Sequence, residues 1–395
     1  MVDLPQELVD AIIEEVAFID QLYETSDCES LKACAIAGRM FVGPCQRRLF
    51  RTLSLDSSGR RLEAVANILT ASPHLALYVQ DLYVDVYLDA NNRHHIPLST
   101  ILTMLTGVRR LMMSPAKPRW ESVPQNLVAA FCSLLALPTL HCFGLAYCTV
   151  PAELIRYALS SYAEVALIAI QLDHRAPVFP LPPRDPGRPP VALNRLTIQS
   201  SLNPDSLRAV IMHEPPKSLQ SVRHMELSVL SRGTLNGLEE IAITCGPSLE
   251  HLVIDFRDLY DDSFDLPQLS SLRFLTFKLR AKRLHFPRGL EAVMATLPGR
   301  TPHLEVMTAI ISSEFYDHTT GKFTHSRNEP VDEALNNLAR LRDVHFRISL
   351  LTDDGWSRFR ESLRQELPVI SQAGLLSFSE CNWDGYTPPM AYFSN

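Results

Sequence analysis

Residues 249–277 read LEHLVIDFRDLYDDSFDLPQLSSLRFLTF and carry one hexapeptide pattern twice, as Leu249-x-x-Leu252-x-Ile254 and Leu272-x-x-Leu275-x-Phe277. Apolar residues two apart point to the same side of an extended chain, the period of a β-strand that buries one face. Outward in both directions the pattern recurs, with its middle residue at Leu53, Leu82, Leu111, Phe143, Val165, Leu196, Met225, Met307, Val344 and Leu376. Twelve recurrences between Leu53 and Leu376 give a mean step of about 29 residues, with single steps from about 22 to about 37.

Between the hexapeptides the apolar spacing turns helical. It does so at Leu62, Val65, Ile68 and Leu69, at Leu98, Ile101, Leu102 and Leu105, at Leu127, Phe131, Leu134 and Leu135, and at Leu154, Ile155, Ala158 and Leu159. Further segments follow at Leu207, Val210 and Ile211, at Leu290, Val293, Met294 and Leu297, at Val331, Ala334, Leu335 and Leu338, and at Trp356, Phe359 and Leu363. Pro151, Pro204 and Pro287 stand where helices can open, since the missing N–H costs nothing there. Strand and helix in alternation at this step resemble a leucine-rich repeat. The expected fold is α/β, an irregular leucine-rich-repeat solenoid over residues 52–395 with a curved parallel sheet and outer helices. A closed eight-stranded α/β barrel is the alternative, and twelve strands are too many for it. Only Cys148 and Cys381 follow a strand as the regular repeat requires, so the array is irregular. Residues 177–190, PVFPLPPRDPGRPP, are half proline and are expected to loop out as a polyproline-like insert.

The bulk composition narrows the function. A net charge of -7 supplies no basic field, which disfavours nucleic acid. The eight cysteines form no CxxC pair, the opening residues lack a secretory pattern, and no Asn-x-Ser/Thr acceptor occurs, which together point to reduced thiols in cytosol or nucleus. Residues 122–152 carry no acidic or basic side chain other than His141, but Pro138 interrupts the apolar run and argues against a membrane span.

Residues 1–51 do not follow the repeat. Pro5 opens a helix with Leu8, Val9, Ile12, Ile13 and Val16 on one face; Ser26 and Glu29 have capping-box spacing ahead of Leu31, Cys34 and Ala35; a third helix can start at Pro44. The run Leu4-Pro5-x-x-Leu8-x-x-x-Ile12-Ile13, then Leu31-x-x-Cys34-Ala35, then Arg39-Met40-Phe41 and Leu49-Phe50-Arg51 resembles the F-box, in its fungal F-box-like form. It departs from that pattern at Gly38, at Phe41 in place of tryptophan, and at Gly43-Pro44. The resemblance implies a helical surface docked on a Skp-type adaptor of a cullin-RING ubiquitin ligase, carried by Leu4, Pro5, Leu8, Ile12, Leu31, Cys34 and Phe41.

A target protein is expected on the concave sheet face, where the residues alternating with the apolar positions point. They include Arg195, Thr197 and Gln199; His224, Glu226 and Ser228; His251, Val253 and Asp255; Phe274, Thr276 and Lys278; Asp343, His345 and Arg347. This mixed, hydrogen-bonding set suits a protein segment. The acidic run Asp255, Asp258, Asp261, Asp262 and Asp265 lacks an EF-hand pattern, and the neighbouring cations Arg273, Lys278, Arg280, Lys282, Arg283 and Arg288 suit an acidic or phosphorylated segment. No GxSxG, P-loop, GxGxxG or HExxH occurs, His94-His95 reads as loop, and His141, Cys142 and Cys148 read as repeat residues rather than ligands. The expectation is a non-enzymatic substrate-recognition subunit without cofactor or metal; a ligase-independent interaction scaffold is the alternative.

Overall fold

The structure, a computed structural model, describes residues 5–22, 28–56, 59–85, 95–114, 123–172, 180–183, 191–199, 204–212, 217–229, 232–256, 266–279, 288–311, 329–348 and 353–380. They fall into two compact units, residues 1–149 with 175–188 and residues 150–174 with 189–395.

In the first unit three helices, α1 (Gln6–Leu22), α2 (Glu29–Ala37) and α3 (Arg39–Leu49), precede the first strand. The Pro5 carbonyl accepts the N–H groups of Leu8 and Val9 at 3.0 and 3.2 Å, so Pro5 opens α1 as its position suggests. Helix α2 starts behind Cys28, which adopts a left-handed backbone at φ 48°; the Ser26 cap lies outside the described residues. Helix α3 does not start at Pro44 but runs through it. Only one intrahelical bond is lost for want of the proline N–H, and Pro44 and Cys45 are both buried. Ile13, Ala17, Leu31 and Cys45 form a small core that Val16, Cys34, Ala35, Phe41 and Leu49 pack against.

Strand and helix then alternate as β1 (Thr52–Asp56), α4 (Gly59–Ala71), β2 (Asp81–Asp85), α5 (His95–Met104), β3 (Arg110–Met113), α6 (Gln125–Leu135) and β4 (Cys142–Ala146). The strands pair in parallel and in chain order, with Leu53, Leu82, Leu111 and Phe143 side by side in register. Asp81, 5% exposed, is held by Arg110 through two hydrogen bonds of 2.6 and 2.7 Å, so this interior carboxylate is paired on both oxygens.

After β5 (Thr149–Val150), the second unit holds α7 (Ala152–Ser161), β6 (Glu164–Ile168), β7 (Gln171–Leu172), β8 (Arg195–Gln199), α8 (Pro204–Met212), β9 (His224–Val229), α9 (Arg232–Cys245), β10 (His251–Phe256) and β11 (Phe274–Leu279). It continues with α10 (Arg288–Arg300), β12 (Val306–Ile311), α11 (Glu329–Asn336), β13 (Asp343–Ile348), α12 (Asp353–Glu366), α13 (Pro368–Gln372) and β14 (Leu376–Glu380). Strands β6 and β8 to β14 again pair in parallel and in chain order. Val165, Leu196, Met225, Leu252, Leu275, Met307, Val344 and Leu376 share one register row. The end strands β6 and β14 are not neighbours, so this run of eight strands is not a closed barrel. Helix α9 occupies a stretch that the apolar spacing did not single out; Gly233, Asn236 and Gly237 lower its intrinsic helix preference.

A backbone motif recurs where the side chains do not. Among the described residues, the residue just before nine of the strands offers its carbonyl to two successive N–H groups of the next repeat: Arg51 to Gln80 and Asp81, Gln80 to Arg109 and Arg110, Arg109 to His141 and Cys142. Ala163, Asn194, Arg223, Glu250, Arg273 and Glu305 do the same in the second unit. Hydroxyls ahead of the first apolar position tie the same corner: Thr139 donates to the Val108 carbonyl at 2.8 Å, Ser221 to Leu193 at 3.0 Å and Ser248 to Val222 at 2.9 Å. Backbone pairing thus keeps the repeat regular while its side chains drift.

Among the described residues no helix is long and apolar enough to cross a membrane. Most of the uncharged run 122–152 is taken up by α6, β4 and β5.

Candidate functional site

On the amino-terminal helices, Val9, Ile13 and Ala17 turn one stripe of α1 inward at 1–2% exposure, which leaves Leu8 and Ile12 one turn apart and 52% and 42% exposed. Ile36 of α2 and Met40 of α3 are exposed as well, at 87% and 37%. Of the seven residues expected to hold an adaptor, Pro5, Leu8 and Ile12 lie on the surface, and Leu4 is outside the described residues. Leu31 is 2% exposed and belongs to the core, while Cys34 and Phe41 are half-buried against it. Their small or planar side chains close the three-helix packing. Ile36 was legible in the sequence as an apolar residue off the Leu31, Cys34, Ala35 stripe. Ion pairs from Arg47 to Asp10 at 3.0 Å and from Arg48 to Glu14 at 3.5 Å join α3 to α1; at their exposure each contributes little.

The second surface is the sheet face opposite the apolar register row of the second unit. Strand register sorts its residues into rows. The first holds Arg195, His224, His251, Phe274, Val306 and Asp343; the next Thr197, Glu226, Val253, Thr276, Thr308 and His345; a third Ser228, Asp255, Lys278, Ile310 and Arg347. In the first row the rings of His224 and His251 stack at 4.1 Å between centroids, and those of His251 and Phe274 at 4.2 Å. The Arg273 guanidinium lies 5.4 Å from the Phe274 ring centre. Burial, then the neighbouring His224, pushes the His251 pKa down to about 4, and burial and Arg195 lower that of His224. Both imidazoles are therefore neutral at physiological pH and form a flat, half-buried aromatic ledge.

The face is not uniformly solvated. Thr197, Gln199, Glu226, Ser228 and Asp255 are each 5% exposed or less. Glu226 Oε1 accepts from Gln199 Nε2 at 2.7 Å and from Lys278 Nζ at 2.6 Å. The hydroxyls of Thr197 and Ser228 are buried with no hydrogen-bond partner among the described residues. On β11 to β13 the burial alternates instead, with Arg347 exposed. There His345 is held between two serines: its Nδ1 is 2.8 Å from Ser377 Oγ and its Nε2 2.7 Å from Ser379 Oγ, and Ser377 donates to Asp343. These bonds hold the ring, while Arg347, one row further on, is exposed.

The two cations of the basic stretch whose side chains are described are both paired, Arg273 with Glu305 and Lys278 with Glu226. Arg280, Lys282, Arg283, Asp258, Asp261, Asp262 and Asp265 lie outside the described residues, as does the side chain of Arg288. His95 is the first residue of α5, and His94 is outside the described residues. His141 is exposed whereas Cys142 and Cys148 are buried. Desolvation pushes the thiols of Cys148 and Cys245 up to about 12, which keeps them protonated and poorly nucleophilic. Among the described residues no group of three His, Cys, Asp or Glu is placed to hold a metal ion. No protein-family model matches this chain, and no curated protein matches it.

Proposed function

We propose that the chain is the substrate-recognition subunit of a cullin-RING ubiquitin ligase of the cytosol or nucleus. The amino-terminal helices hold a Skp-type adaptor, and an irregular leucine-rich-repeat solenoid, curved and with its helices outside, presents a target protein. It performs no chemistry itself. The observation that carries the reading is the separation of roles on the helical head: one stripe packs a private core while Leu8, Ile12, Ile36 and Met40 stay exposed. The chain-ordered parallel strands supply the companion architecture of such a head. On the sheet face, the imidazole–phenyl ledge and Arg347 suit stacking and hydrogen bonding to an extended protein segment.

The test is co-purification with a Skp-type adaptor and cullin. Leu8→Asp with Ile12→Asp places two charges in a desolvated contact and is expected to weaken adaptor binding on the order of a hundredfold, with the fold intact because both positions are exposed. Absence of adaptor binding by the unaltered protein at micromolar concentration sinks the reading. A ligase-independent scaffold is the second reading, favoured by the use of Leu31, Cys34 and Phe41 inside the head. On that reading target binding persists and no adaptor is recovered with either protein.

A further inference from the structure

The proline-rich insert does not simply loop out. Pro180, Leu181, Pro182 and Pro183 line a groove together with Gln125, Val128, Ala129, Cys132, Ser133 and Ala136 of and just after α6. Those six positions follow a three-to-four-residue spacing, so they form one helix face. The opposite face, with Leu127, Ala130, Phe131, Leu134 and Leu135, is buried in the core. The Cys132 thiol donates to the Pro180 carbonyl across 48 residues of sequence. Leu181 and Pro182 are half-buried between exposed Pro180 and Pro183. A groove of about 430 Å3 remains between helix and segment, within the size range of ligand clefts.

The chemistry of both sides is matched. Helix α6 carries no charged residue, and Ala129, Cys132, Ser133 and Ala136 are small enough for another backbone to come close. A polyproline chain has no internal hydrogen bonds, so its carbonyls need outside donors, and proline has already surrendered much of the conformational freedom that docking removes. A tethered segment is present at an effective concentration of about a millimolar, so even a weak groove stays occupied.

The geometry points to the outer face of α6 as a receptor groove for uncharged, proline-rich segments in the polyproline II conformation. Pro180–Pro183 lie along it in cis, and such a segment of another protein can take their place. This holds whether or not the amino-terminal helices bind an adaptor.

The test uses the full chain and a fluorescein-labelled peptide with the sequence of residues 177–183, PVFPLPP. Loosening the internal ligand by Pro180→Ser, Leu181→Gly, Pro182→Ser and Pro183→Ser is expected to lower the apparent Kd for the peptide about tenfold or more in fluorescence anisotropy. That factor is the competition expected of a tethered ligand near a millimolar against a Kd near 100 μM, in order of magnitude. Adding Ala129→Glu and Ser133→Glu, both exposed, abolishes the gain with circular dichroism unchanged. A second measurement needs no loosened insert. Ala129→Glu alone, or the unlabelled peptide added to the unaltered chain, speeds tryptic cleavage after Arg184 several-fold. Equal peptide affinity with and without the internal segment, insensitivity to the glutamates, or an unchanged cleavage rate overturns the proposal.

Discussion

Strands β8 and β13 carry the same binary pattern, Arg195-Leu196-Thr197-Ile198-Gln199 against Asp343-Val344-His345-Phe346-Arg347, and the structure treats them differently. In β8 four of the five residues are buried, polar ones included; in β13 burial alternates and Arg347 is exposed. Alternation in sequence therefore states which side a residue points to, not whether water reaches it. Where both sides of a parallel strand are covered, its polar residues must find partners or be left unsatisfied. Glu226 with Gln199 and Lys278 is the first outcome; among the described residues, Thr197 and Ser228 are the second.

The comparison breaks most visibly at Glu226. Glu226→Ala strands an ammonium and an amide at a site where the carboxylate is 5% exposed, and a loss of about 3 kcal/mol is expected in urea unfolding, against under about 0.5 kcal/mol for Arg347→Ala. Similar losses at the two positions would erase the distinction between the regions. A smaller effect follows from the stacked imidazoles. Because the folded-state pKa of His251 is depressed to about 4, the unfolded chain binds the extra proton between about 6.5 and 4. Stability then rises with pH across that window, is fully present above it, and is lost on acidification. His251→Phe should flatten the thermal-melt profile over the same range, and an unaltered slope counts against the imidazole pair as its source. Least in size and opposite in sign is the effect of removing the orphan hydroxyls. Thr197→Val with Ser228→Ala should be neutral or stabilise by up to about 1 kcal/mol, since neither hydroxyl recovers its desolvation cost. A loss of 1 kcal/mol or more by calorimetry would mean that these hydroxyls hold a buried water or ligand.

Much of the repeat was legible. The twelve middle apolar positions read from the hexapeptide pattern are the ones that stand side by side within the two parallel runs, although the steps between them vary by half. That variation is absorbed in loops and helices, while the paired N–H groups accepted at nine of the strand entries restore register without reference to side chains. Less of the candidate site was legible. Leu31 and Leu8 are both leucines at helical spacing in the amino-terminal segment, yet one is core and the other surface, because three short helices choose their shared interior only when packed. Pro44 looked like a helix start and sits inside α3, where burial outweighs one lost bond.

From the sequence alone came the α/β class, the spacing of the strands and the direction each strand residue faces, since all three depend on local geometry with periods of two and three to four residues. Tertiary structure alone decided which polar residues of the rows opposite the apolar register are buried, how His345 is clasped between Ser377 and Ser379, and that Pro180–Pro183 lie against α6. Those outcomes join residues tens of positions apart, and no local period encodes what covers a surface once the chain has folded back upon it.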